Sequence, residues 1–292
     1  MPTSARVTFW DRRRLLLAAV LATSAFACGK AGTPGKAAAG PEGLRTLRVL
    51  TYNVLADEIA VGTRIPALMK ILDESDADVM ALQEVDGWFL QHLGAQPWLD
   101  RKYGGLSGKM LSPNGQLIVS KWPAEKSFSK ALPGRQGRDA AVSVFRVNGR
   151  RLAVATSHME SPLEAHEIRA SQLDAIFPLL DGADDAIFLG DMNFGNAWEP
   201  ETSRIDKRFS DLWRVLHPDE PGFTWNMEKS EMARRGSFPN EKSGRIDRIF
   251  VRSGRWKPAS IRIVGDESIP PGENRIFPSD HFGIAGTLEW VP

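Results

Sequence analysis

Apolar runs of strand length recur along this chain with almost no polar alternation inside them: Leu47–Tyr52, Val79–Leu82, Leu152–Thr156, Ala186–Leu189, Ile246–Val251 and Phe282–Leu288. A strand apolar at successive positions must be covered on both faces, so these segments belong inside a layered fold rather than on a solvent-washed sheet. Each run also meets a polar signature at one end. In order these are Asn53, Glu84, His158, the pair Asp191 and Asn193, Asp247, and the pair Asp280 and His281. Strand ends converge when sheets pack, and these ends supply only carboxylates, carboxamides and imidazoles. That inventory suits a hard divalent cation, a water nucleophile and a phosphate ester.

Between the runs, Thr63–Asp73 has helical spacing at Ile65, Leu68, Met69, Ile71 and Leu72, and Leu163–Leu180 reads as a second helix. Asn148-Gly149 separates Ala140–Val147 from Arg151–Thr156 as a hairpin turn. Gly195–Arg245 is loop-rich, with Trp198, Trp213, Phe223 and Trp225 among Pro, Gly and charges. Long irregular stretches inside compact domains usually carry function. Strands, helices and a hairpin without strict βαβ repetition point to an α/β sandwich of two mixed sheets with helices outside.

The first 28 residues read differently. Arg6 and Arg12-Arg13-Arg14 precede the apolar run Leu15–Ala22, and Ala25-Phe26-Ala27-Cys28 follows. A basic start, a short apolar core and small residues before a cleavage point make an export signal, too short to span a bilayer permanently. The paired arginines fit a twin-arginine route as well as the general one. Cys28 is the sole cysteine. Its position suits a diacylglyceryl anchor, and an intrachain disulfide is excluded. Residues 29–43, rich in Ala, Gly, Lys and Pro, read as a flexible tether, and 44–292 as one domain of about 250 residues. An exported, envelope-located protein follows, lipid-anchored at the membrane or free, with nothing asking for an obligate protein partner.

The chain has 37 Lys and Arg against 36 Asp and Glu; residues 1–28 hold four of the basic and one of the acidic residues, so the remainder has 33 against 35, net −2. That excludes a strongly basic footprint for duplex binding, though not a local basic groove. Arg135, Arg138, Arg234, Arg235 and Arg245, with Trp198 and Trp225, are candidates for such a groove on single strands.

Each polar signature has an ordinary explanation when taken alone. Asn53 can be a turn residue, and Glu84 the partner of a core arginine. Asp191 and Asn193 can form an Asx turn, His158 can be a satisfied structural histidine, and Asp247 can pair with Arg245 or Arg248. Their order is the stronger signal. Leu82-Gln83-Glu84-Val85, Gly190-Asp191-Met192-Asn193 and Ser279-Asp280-His281-Phe282-Gly283 resemble the endonuclease/exonuclease/phosphatase superfamily, over about Leu47 to Leu288. Thr156-Ser157-His158-Met159-Glu160-Ser161, Phe223-Thr224-Trp225 and Arg245-Ile246-Asp247-Arg248-Ile249-Phe250 are similar to its tyrosyl-DNA phosphodiesterase 2 branch.

The resemblance implies a DNase I-like sandwich of two mixed, mostly antiparallel β-sheets flanked by helices, and a Mg²⁺-dependent phosphodiesterase or nuclease, with Mn²⁺ as a substitute. Glu84, Asn53 and Asp280 would serve the metal, and Asp191 would orient or deprotonate water with help from Asn193. His158 and His281 would contact the phosphate, with Asp247 orienting a histidine and Trp225 and Arg245 touching substrate. The substrate would be nucleic acid or nucleotides; phospholipid head groups or inositol phosphates, and an inactive binding protein, are the alternatives. One departure is visible: two residues after Asn193, where that branch tends to carry an arginine, this chain has Gly195.

Overall fold

The computed structural model describes residues 40–109 and 115–292; the expected export signal, Cys28 and the expected tether up to residue 39 lie outside the described residues. Two six-stranded sheets face each other. The first is ordered β11 (Trp256–Val264), β12 (Gly283–Trp290), β1 (Thr46–Asn53), β2 (Val79–Val85), β4 (Gly115–Ser120), β3 (Gly105–Lys109). The second is ordered β5 (Lys126–Ala131), β6 (Asp139–Val147), β7 (Arg150–His158), β8 (Asp185–Asp191), β10 (Asp247–Arg252), β9 (Ser210–Asp211). Among the described strands only β1–β2 and β7–β8 run parallel, one such pair at the centre of each sheet. The mixed, mostly antiparallel sandwich expected from the sequence is the fold observed.

Side-chain alternation explains the layers. Leu47 and Val49 of β1, Val79 and Ala81 of β2, Val154 of β7, Ile187 and Leu189 of β8, and Ile249 of β10 fill the space between the sheets. The intervening residues point outward: Leu50 and Met80 under helices α1 (Val61–Glu74), α2 (Gly87–Gly94) and α3 (Pro97–Lys102), and Ala155 and Phe188 under α4 (His166–Ile176). Both faces being covered, the central strands are apolar along most of their length, as their sequence demands.

Several elements differ from the sequence reading. The helix expected over 163–180 is α-helical only at His166–Ile176, and Phe177–Leu180 tightens to a 3-10 turn around Pro178, which has no N–H to continue the ladder. Helices α2 and α3 and strands β3 and β5 carry little periodic signal. β5 is nearly all exposed, with burial at Phe128 alone being even intermediate. The loop-rich segment holds three short helices, α5 (Glu201–Arg204), α6 (Leu212–Leu216) and α7 (Glu231–Gly236). No described helix is long and apolar enough to cross a membrane.

Candidate active site

The inner-face stripes change character where the strands end. Val49, Thr51 and Asn53 alternate on β1; Val154, Thr156 and His158 on β7; Ile187, Leu189 and Asp191 on β8; and Val251, Ile249 and Asp247 on β10. The next inward position after the apolar core is thus the polar residue in each case. Register places His158 beside Asp191 and Asp191 beside Asp247 on three neighbouring strands. A buried link, Thr51 to Gln83 (3.3 Å) and Gln83 to Thr156 (2.8 Å), joins the two sheets one layer beneath.

Glu84 reaches the cleft by a different device. Alternation on β2 would send it outward with Met80 and Leu82. Instead the register slips between Gln83 and Val85, and Glu84 sits at φ 57° on the resulting bulge. A bulge re-aims a side chain, and a non-glycine residue at positive φ is held there at a cost its surroundings must offset. Its carboxylate accepts from Ala56 N (3.0 Å) and Asn53 Nδ2 (3.0 Å), and the side chain remains 23 % exposed.

Asn53 departs from the ligand role expected of it. Its Oδ1 accepts the Leu55 N–H (3.1 Å), while its NH₂ donates to Glu84 and to Asp191 Oδ2 (3.0 Å). Reversing the amide would face its oxygen toward two acceptors, so Asn53 spaces the two carboxylates rather than offering an oxygen to a cation. Asp280 lies in the segment before β12, its neighbour Ser279 donating to the Asn53 carbonyl (2.7 Å). Burial and the nearby Glu84 charge raise the Asp280 carboxyl pKa against the lowering influence of His281.

Asp191 is fully buried at the centre. Its Oδ1 accepts from Asn193 N (3.0 Å); its Oδ2 lies 3.3 Å from His158 Nε2 and 3.7 Å from His281 Nε2. Burial, with Asp247 as a like charge, pushes its pKa up to about 7 despite the neighbouring histidine. The imidazoles are driven apart. Burial, then Arg138 and His281, holds His158 well below the usual histidine range, so it is neutral. Burial acts the same way on His281, but the charges of Asp247 and Asp191 and the 2.9 Å bond from Nδ1 to Asp247 outweigh it, holding His281 protonated. Paired groups pushed in opposite directions are how one site holds a base and a cation at neutral pH. Asp247 is itself fixed by Thr224 Oγ1, which accepts the Asp247 N–H (3.0 Å).

The remaining expected residues fall into place unevenly. Asn193 forms the Asx turn and braces the chain after β7, donating to Met159 O (2.9 Å). Trp225 packs on His281, ring centroids 4.9 Å apart, and is 6 % exposed, so it backs the histidine instead of offering a stacking face. Arg245 does not face substrate: it is buried in a two-oxygen pair with Asp211 (2.8 and 3.1 Å) and also bonds Asn196. A guanidinium held through both terminal nitrogens by a carboxylate in the interior is structural. Arg135, Arg234 and Arg235 are exposed, while Arg138 is buried beside the site, donating to Ser161 Oγ (2.6 Å). Trp213 and Trp198 are core-packing, not apolar loop tips. At Gly195 a Cβ would come within 3.0 Å of the Trp198 ring nitrogen, so any side chain there must displace that tryptophan.

Thr224, Ser279 and Ser161 complete the site with no signal beyond lying in the recognised motifs, together with Arg138, which the sequence offers only as a groove candidate. Two sets of donors are candidates for a cation, one by distance and one by donor chemistry. Ligand atoms of Asp191, Asp247 and His281 lie within 4.8 Å of one another. The oxygens of Glu84 and Asp280 form the harder donor set, mutually repelling until a cation comes between them.

Comparison with known proteins gives the family. Residues 50–281 match the model of the Endonuclease/Exonuclease/phosphatase family. Tyrosyl-DNA phosphodiesterase 2 of Mus musculus is 31 % identical over 256 residues, 84 % of this chain and 67 % of that protein. The Rattus norvegicus protein of the same name is 25 % identical, over 84 % and 68 %. Among solved structures, D. rerio tyrosyl-DNA phosphodiesterase 2 complexed with single strand DNA product superposes with a TM-score of 0.70 at 23 % identity, covering 84 % of this chain and 99 % of that one. The truncated Caenorhabditis elegans enzyme gives 0.71 at 21 %, covering 84 % and 97 %. These two structural likenesses speak for the fold. This chain belongs to the endonuclease/exonuclease/phosphatase family of metal-dependent phosphoric ester hydrolases, in its tyrosyl-DNA phosphodiesterase 2 branch.

Proposed function

We propose that the cleft hydrolyses phosphodiester bonds of DNA, including those joining DNA to a tyrosyl group, the substrate class in its relatives' name. One observation carries this: a buried carboxyl with a pKa near 7 stands between a neutral and a protonated imidazole. Such an Asp191 takes a proton from the attacking water as its oxygen bonds to phosphorus. The positive His281 and the neutral His158 face charge that builds on the non-bridging oxygens as the bond to the leaving oxygen breaks. Asp247 fixes the His281 tautomer, and Asn193 holds the turn that aims Asp191. Glu84 and Asp280 are the oxygen donors for Mg²⁺, kept apart from Asp191 by Asn53; Mn²⁺ suits the same donors. Bound there, the cation supplies Lewis-acid stabilisation of the phosphate.

The test is a substrate panel with Mg²⁺: 5′-tyrosyl DNA, single and double strands, mononucleotides, sphingomyelin and inositol phosphates. Turnover of the DNA substrates, abolished by chelation, is expected. Turnover of lipid head groups or inositol phosphates with all nucleic acids untouched would overturn the reading.

We also propose that the chain is exported to the cell envelope, on the strength of Arg12-Arg13-Arg14, the Leu15–Ala22 run and Cys28. Mass spectrometry of the mature amino terminus decides between forms: acylated Cys28 indicates a membrane anchor, an unmodified start a free protein.

A further inference from the structure

Arg64 lies in the first turn of α1 on the face that packs inward, and it is wholly buried. Its guanidinium touches five backbone carbonyls. Nε donates to Ile59 O (2.9 Å), Nη1 to Val54 O (3.0 Å) and Pro278 O (3.5 Å), and Nη2 to Leu55 O (3.0 Å) and Asp57 O. A guanidinium has five N–H groups, so the donor count and the acceptor count match. No described carboxylate touches it; Asp280, Asp57, Asp86 and Glu84 offset its charge from further away.

What the five carbonyls belong to gives the arrangement its meaning. Four lie in the loop between β1 and α1. That loop's own amides hold the site: Ala56 N–H on Glu84 and Leu55 N–H on Asn53. The fifth, Pro278 O, belongs to the segment carrying Asp280 and His281. Pro278 is 214 residues from Arg64 in sequence, and this single side chain is bonded to both stretches. Ser279 Oγ to Asn53 O is a second stitch between them.

We infer that Arg64 is a positioning residue for the cation site, setting the distance between Glu84 and Asp280 by clamping the loops behind them. This rests on the assignment of those two carboxylates as the Mg²⁺ donors. A second effect has the same sign: a buried positive charge near both carboxylates limits their repulsion before Mg²⁺ arrives. Lysine separates the two effects, since it keeps the charge but has three donors on a pivoting ammonium instead of a planar fork.

The test measures Mg²⁺ affinity in the full chain for Arg64→Ala and Arg64→Lys by two readouts, the midpoint of the activity titration and the Mg²⁺-induced rise in Tm. Outer partners of metal ligands are worth about 10- to 100-fold in affinity or activity. Arg64→Ala is expected to move the Mg²⁺ midpoint up by about that factor, with a smaller loss of kcat at saturating Mg²⁺. Arg64→Lys is expected to fold and yet remain at least about 10-fold weaker for Mg²⁺. A folded Arg64→Lys with the parental Mg²⁺ midpoint would overturn the clamp. Should both variants unfold, the buried Arg64 Nε–H resonance of the parental protein takes over: a shift on Mg²⁺ addition supports the inference, and an unmoved resonance overturns it. The parent separates this from the underlying assignment. A parental protein that binds no Mg²⁺ defeats the metal site itself, whereas normal parental binding with indifferent Arg64 variants defeats the clamp alone.

Discussion

His158 and His281 address the same oxygen of Asp191, from 3.3 and 3.7 Å, and their surroundings give them opposite charge states. The difference is Asp247, bonded to His281 and not to His158. A buried imidazole facing Asp191, a carboxyl itself pushed toward neutrality, sheds its proton; one that also has a second carboxylate bonded at 2.9 Å keeps it. The consequence for stability has a definite sign. His281 has its folded pKa raised, so its contribution is complete below about 6.5 and disappears as the pH climbs through the folded value. Asp247→Asn removes the raising charge. Its pH–rate profile is therefore expected to lose activity at lower pH on the alkaline side than the parent, with a rate about 10- to 100-fold lower at pH 7. An unchanged alkaline limb would detach His281 from the reaction. Asp191→Asn removes the base outright, and its single amide oxygen keeps one of the two acceptor roles, that for the Asn193 N–H or that for Asn53 Nδ2. A fall of at least about 10²-fold in kcat with a parental unfolding curve is expected; near-parental Mg²⁺-dependent turnover would remove Asp191 from its role.

At the scale of elements, the site is the point where core stripes of β1, β7, β8 and β10 run out of apolar residues. This part was legible in the sequence, because a period of two carried from Val154 to His158, or from Ile187 to Asp191, needs only alternation. Glu84 was legible only by its motif. Alternation assigns it to the helix-covered face, and the bulge that turns it inward depends on pairing with β4. Arg245 defeats the sequence for a related reason: its partner Asp211 is 34 residues away, so an isolated arginine beside a motif looks available when it is buried in a pair. Arg64 was overlooked although it sits four residues before Leu68 on the buried stripe. The close approach of β7 and β8 invites a test. A Cβ on Gly190 would lie 2.2 Å from the Ser157 carbonyl, so Gly190→Ala must push the two strands apart just before His158 and Asp191. Overpacking of this kind costs about 1–3 kcal/mol, and a displacement of about 1 Å at reacting groups can cost about 10²-fold in rate. Urea unfolding and kcat should both fall. Loss of stability with kcat intact would mean that the strand spacing does not set the site.

For the whole molecule, the cleft is where the two sheets bring negative charge together: Glu84 and Asp280 beside the first sheet, Asp191 and Asp247 at the end of the second. Without a cation these carboxylates oppose the closure that packing of the sheets enforces: burial first, then the like charge of Asp247 on Asp191 and of Glu84 on Asp280, raises both carboxyls. A ligand that binds only the folded chain stabilises it by about 2.7 kcal/mol at a concentration of 100 Kd. For a domain of about 250 residues each kcal/mol is worth about 2–4 °C in Tm. Saturating Mg²⁺ should therefore raise Tm by about 5–10 °C, and chelation should reverse it. Glu84→Gln separates repulsion from ligation. Losing one negative charge relieves Asp280, so the metal-free Tm should stay level or rise, while the Mg²⁺-dependent increment should shrink to a small fraction of the parental one. Were the increment to survive in Glu84→Gln and vanish in Asp247→Asn, the cation would have to be placed among Asp191, Asp247 and His281, and the roles of the two carboxylate groups exchanged.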